Sequence, residues 1–216
     1  MIKKKSLTIL LFLTVISIKS QEIKKSIFSI KKIGFIYNSA SANNFLFNDK
    51  DYKYTTNTYK FQSIYDIGKW KNFEFQLIVQ PQLQIIKHQL LNEQFVLPSE
   101  ENYEEKRTEY TTLKTIHLYA FELGFIMQRR IIQKLKIQAS IGLGVASINK
   151  RTERLAKGFT FIENGAFGFS YQTSVKTFLY VGGNVGHVSN LNFKLPNSRF
   201  NIFIIYMIVV RHEDSM

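Results

Sequence analysis

The stretch Phe73-Glu74-Phe75-Gln76-Leu77-Ile78-Val79-Gln80-Pro81-Gln82-Leu83-Gln84-Ile85 decides the fold. Phe73, Phe75, Leu77, Val79, Leu83 and Ile85 share one parity, while Glu74, Gln76, Gln80, Gln82 and Gln84 share the other. Ile78 and Pro81 are the two interruptions. A period of two marks a strand with two unlike faces. Here the polar face is made of glutamine and glutamate, not of the lysine and aspartate of a wetted surface. Such a face suits an enclosed polar interior. The apolar parity then looks outward to lipid, the inverted pattern of a small membrane barrel.

The same pattern recurs along the chain. Leu135, Ile137, Ala139, Ile141, Leu143 and Val145 alternate with Lys136, Gln138, Ser140, Gly142 and Gly144. Tyr119, Phe121, Leu123, Phe125 and Met127 alternate with Ala120, Glu122, Gly124 and Gln128. Eight such runs lie near 28–38, 54–66, 70–87, 112–129, 133–148, 158–171, 174–189 and 199–210. Several exceed ordinary soluble strands and suit a tilted bilayer crossing of about 9–11 residues plus an extension. Aromatic residues make up 14% of the chain, as interfacial girdles require. Sheet edges cannot face hydrocarbon, so the strands must close. The expected fold is all-β, an eight-stranded antiparallel transmembrane β-barrel, with a filled interior unsuited to transport. The polar segment 91–112 reads as a long external loop.

The N-terminus agrees. Met1-Ile2-Lys3-Lys4-Lys5 precedes an apolar core from Leu7 to Ile16, and Ser20 stands before an expected cut at Gln21. Residues 1–20 thus read as a signal peptide and 21–216 as the barrel domain. Losing Lys3, Lys4, Lys5 and Lys19 takes the net charge from +13 to +9. A basic exported chain points to an anionic lipid surface and not to nucleic acid. The 216 residues contain no cysteine, which excludes disulfides and thiolate metal sites. His88, His117 and His212 show no ligand spacing, so neither metal nor cofactor is expected.

One segment could do chemistry. In Leu179-Tyr180-Val181-Gly182-Gly183-Asn184-Val185-Gly186-His187-Val188-Ser189-Asn190, His187 and Ser189 fall on the apolar, lipid-facing parity. Polar side chains are costly there. Residues i and i+2 share a strand face, about 6–7 Å apart, so an imidazole can reach the hydroxyl. Serine needs such a base before it attacks a carbonyl. After a turn, Asn201 begins the next strand, and hairpin pairing places it near the end of its predecessor. Asn201 could orient the imidazole but carries no charge. Glu163 breaks the apolar parity of its own strand. It either offers an alternative acid or is turned inward by a shift of register, and the second is expected here.

His187-Val188-Ser189-Asn190, Leu195-Pro196-Asn197 and Asn201 together resemble the signature of the lipid A 3-O-deacylase family (PagL type, also called acyloxyacyl hydrolases). The likeness is specific over about 184–201. Lys87-His88-Gln89-Leu90-Leu91-Asn92 and Thr152–Phe159 look like segments of its Bacteroidetes-type branch. The resemblance implies an outer-membrane esterase that removes an ester-linked acyl chain from lipid A without a cofactor. Its substrate would be lipid A or lipopolysaccharide in the outer leaflet; a homodimer is a further expected assembly. It implies Ser189 as nucleophile, His187 as base, and Asn197 with Asn190 at the oxyanion. The family's triad acid falls on Asn201, and its usual glycine is replaced by Arg199, which could contact a lipid phosphate. The rival reading is a non-catalytic structural or lipid-binding outer-membrane barrel.

Overall fold

The computed structural model describes residues 29–41, 50–197 and 200–212. The expected signal peptide and Arg199 lie outside the described residues. Eight strands follow one another: β1 (Lys32–Ser41), β2 (Tyr52–Trp70), β3 (Phe73–Leu90), β4 (Lys114–Ile132), β5 (Leu135–Ile148), β6 (Gly158–Gln172), β7 (Thr177–Ser189) and β8 (Phe200–His212). Each pairs antiparallel with the next, and β1 pairs with β8 to close the barrel. The chain is an eight-stranded antiparallel transmembrane barrel, with tight turns at one rim and long connections at the other.

The outward parity is as read. Phe121, Leu123, Ile141, Leu143, Phe167 and Phe169 stand exposed on the outer wall. Gln62, Gln76, Gln80, Gln82, Gln84 and Gln128 are buried inside. At mid-height Gln80 and Gln82 flank Glu122, which is 2% exposed. Its carboxylate accepts from Lys60 Nζ at 3.2 Å, Gln80 Nε2 at 3.1 Å, Gln82 Nε2 at 3.1 Å and Asn164 Nδ2 at 2.9 Å. A buried charge persists only when it is paired and hydrogen-bonded in this way. Gly142 on β5 makes room for that carboxylate, since a Cβ there would lie 2.0 Å from Glu122 Oε1.

Two expectations change. A lumen of polar and small side chains was expected, but the glutamine layer lies between two apolar clusters. Ile36, Ile64, Ile78, Ile126, Tyr180 and Ile208 fill the end near the tight turns. Tyr54, Leu90, Ile116, Leu118, Leu155, Ile162 and Val188 belong to the cluster at the other end. Ile78, an interruption in the sequence pattern, is therefore an inward core residue. The segment 91–112 also has structure of its own. It holds a 3₁₀ turn (Glu93–Phe95) and α1 (Tyr103–Thr111), whose Tyr110 is buried in the rim-side cluster. Val96 and Tyr110 are the buried apolar anchors of this run, too few to give a period.

Pro81 marks a second local irregularity. The β2–β3 ladder pairs Lys60 with Gln82 and resumes at Ser63 with Val79. A residue without an N–H cannot donate to a ladder, so pairing is weakest around it.

Candidate active site at the rim of the barrel

The candidate residues meet where β6, β7 and β8 reach the long-loop rim. His187 is the Cα partner of Asn201 on β8. The two side chains touch: His187 Nδ1 lies 2.6 Å from Asn201 Oδ1. With a carbonyl oxygen as acceptor, the ring proton sits on Nδ1, and Nε2 keeps its lone pair. Asn201 is itself fixed from inside the barrel, where the Tyr54 hydroxyl donates to its backbone carbonyl at 3.0 Å.

Val188 points inward to the core cluster, so its neighbours His187 and Ser189 take the outward parity. That parity was expected to leave both open to lipid. His187 is half-buried, but Ser189 is only 2% exposed. The connection after β7 folds back at this point. Phe193 sets its ring 6.0 Å from that of Phe161, and Phe161 is the Cα partner of Ser189 on β6. The hydroxyl therefore lies in a sheltered position at the wall, not on an open one.

Asn190 and Asn197 build that fold-back. Asn190 is fully buried. Its side-chain amide donates to the Lys194 carbonyl at 2.5 Å and to the Pro196 carbonyl at 3.4 Å. Its backbone N–H donates to Asn197 Oδ1 at 2.9 Å, and its Oδ1 accepts from the Asn192 N–H at 3.1 Å. Every donor of Asn190 is thus engaged. Asn197 Nδ2 donates to Asn192 Oδ1 at 2.9 Å and retains one further hydrogen.

The segment Thr152–Phe159 carried part of the resemblance, but its bracing role was not legible in the sequence. The β5–β6 connection turns into the barrel mouth, where Leu155 and Ala156 are buried. Leu155 bridges to Asn197, and the Ala156 N–H donates to the Pro196 carbonyl at 3.0 Å. Thr152 holds this connection by accepting from the Leu155 N–H at 2.9 Å. An apolar Leu-Ala pair inside a charged loop was the available signal. Glu153 follows Thr152, with Oε1 at 3.7 Å from His88 Nε2. Burial raises the Glu153 pKa, against the opposing pull of Tyr52, Arg154 and Lys114.

Glu163 does not turn inward. β6 pairs with β5 and with β7 without a shift of register, and Glu163 stays exposed on the outer wall. It is the Cα partner of His187. Nearby, Gly165 leaves open space on the outer wall where a side chain would otherwise project. Among the described residues there is no group of three or more potential metal ligands.

No family model matches the chain, and no curated protein does. Solved structures do. The crystal structure of the outer membrane enzyme PagL aligns with a TM-score of 0.50 at 13% identity, covering 82% of this chain and 97% of that one. The fold is that of an outer-membrane barrel. Neisserial surface protein A (NspA) aligns at 12% identity and a TM-score of 0.41, over 85% of this chain and 96% of that one. The Yersinia pestis outer membrane protein Ail aligns at 10% identity and a TM-score of 0.38, over 84% and 99%.

Proposed function

We propose that this chain is an outer-membrane esterase that removes an ester-linked acyl chain from lipid A. The observation that carries the reading is the His187–Asn201 contact, with a sheltered serine two residues further along the same face. Ser189 Oγ attacks the ester carbonyl carbon as its proton passes to His187 Nε2. The tetrahedral oxyanion takes a hydrogen bond from the remaining Nδ2 hydrogen of Asn197, since Asn190 has no donor to spare. The C–O bond then breaks, and His187 returns the proton to the leaving alcohol. Water repeats the sequence on the acyl-serine and frees the fatty acid.

Two features favour a lipid substrate. His187 and Asn201 stand on the outer wall at the long-loop rim, with Ser189 sheltered beside them, so a neighbouring lipid meets the site without entering the lumen. Exposed Lys150, Arg151, Lys157 and Lys194 make the β5–β6 and β7–β8 connections beside the site basic, as recognition of a phosphate-bearing headgroup requires, while the β3–β4 connection is acidic. Arg199 extends the same charge in sequence. Asn201 favours the rival, a barrel that holds lipid without cleaving it, because a neutral amide cannot stabilise an imidazolium as a carboxylate does.

The test uses the full chain refolded in detergent micelles with purified lipid A. The wild type releases fatty acid, whereas Ser189→Ala and His187→Ala each lose at least about a thousandfold in kcat. Undiminished release by Ser189→Ala overturns the mechanism.

A further inference from the structure

The outer wall carries an isolated row of polar residues across three strands. Glu163 on β6 is the partner of His187 on β7, and His187 is the partner of Asn201 on β8. On β5 the row ends at the exposed Leu143, the partner of Glu163. Above and below it along the strands stand Phe161, Gly165, Val185 and Phe203. A carboxylate on an apolar, lipid-facing wall is costly without a partner. Glu163 makes no ion pair with another described residue.

We infer that Glu163 is a positioning residue of the esterase site and supplies the negative charge that Asn201 lacks. This rests on the function proposed above. Directly opposed residues in an antiparallel pair have Cβ atoms about 4.5–5.5 Å apart, within reach of a glutamate side chain. Asn201 holds the imidazole by Nδ1 and sets its tautomer. Glu163, from the opposite strand, stabilises the imidazolium as it forms. The two duties that one carboxylate performs in an ordinary triad are divided between β6 and β8. Asn201 is the group facing His187 from β8, and the remaining outward residues of β8 down to Val209 are apolar. The connection after β7 carries Lys194, and Arg199 lies outside the described residues. Glu163 is thus the acid that faces the ring from its neighbouring strands.

The full chain, refolded in micelles with purified lipid A, is assayed by steady-state kinetics as wild type, Glu163→Gln, Glu163→Gln with Asn201→Asp, and His187→Ala. In Glu163→Gln, kcat falls about tenfold to a hundredfold while KM holds. Adding Asn201→Asp restores kcat, because a carboxylate again faces the ring. An unchanged kcat in Glu163→Gln, or a loss carried by KM alone, overturns the inference. Lost activity that Asn201→Asp cannot restore overturns it as well. Activity retained in His187→Ala defeats the esterase mechanism itself, a result distinct from those of the Glu163 variants.

Discussion

At the scale of single residues, the site depends on which hydrogen-bonding capacity is already spent. His187 spends Nδ1 on Asn201, and Asn190 spends all its donors on the fold-back. Asn201→Ala removes a neutral hydrogen bond of about 1 kcal/mol, so kcat falls about fivefold while KM holds, by steady-state kinetics. Asn190→Ala acts differently. It takes the donor from the Lys194 carbonyl and leaves Pro196 held by the Ala156 N–H alone, so it loosens the connection after β7 and lowers activity through disorder of Ser189. Limited proteolysis detects this as faster cleavage between 190 and 197. Inside the barrel, Glu122→Ala strands the Lys60 ammonium among glutamines. Breaking one member of a buried pair costs about 3–5 kcal/mol, read as an earlier urea midpoint. Of these residues, His187, Ser189 and Asn201 were legible because they break an apolar parity at a strand end. The loop-building duty of Asn190 was not, because asparagine next to a serine does not reveal where its hydrogen bonds go.

At the scale of elements, alternation located all eight strands but not what fills the space between them. β3 was readable because its inward face is glutamine. β8 was harder: Ile202, Ile204, Ile208 and Val210 are buried inside while Ile205, Met207 and Val209 face lipid, so both parities are apolar. β1 alternates weakly in sequence, yet Phe35 and Tyr37 point out and Ile36 and Asn38 point in. Glu163 was misread for a physical reason. A charge on the lipid face is expensive, so a register slip looked cheaper than a functional cause, yet the ladder is continuous on both sides. The helix α1 escaped because its sequence has no apolar stripe. The β5–β6 connection is the element that braces the site, and its Glu153 gives it a pH dependence. Burial raises the folded-state pKa of Glu153, so its favourable contribution is fully present below the unfolded value and is lost as pH rises through the folded one. Glu153→Gln therefore gives residues 152–156 more protection from hydrogen exchange than wild type at neutral pH. The difference shrinks on acidification.

At the scale of the whole molecule, the barrel is a packed solid, and the function proposed above puts its chemistry on the outer wall. Its lumen retains a cavity of about 70 Å³, bounded by Lys60, Gln80, Glu122 and Asn164 among others. The apolar clusters at either end close the passage. Planar bilayers containing the refolded chain show no porin-like conductance steps, and steps of that kind would contradict the packing. An enzyme that never admits its substrate to the lumen can fill that lumen for stability, and the polar island of Glu163, His187 and Asn201 lies where a lipid neighbour can meet it. The central claim is that this island, with Ser189, cleaves an acyl ester of lipid A. Mass spectrometry of lipid A from Gram-negative cells expressing the wild-type chain or Ser189→Ala tests it most directly. The account predicts a lipid A species lighter by one acyl chain with the wild type and the unaltered species with Ser189→Ala. Identical spectra from both, with each protein present in the outer membrane, would contradict it.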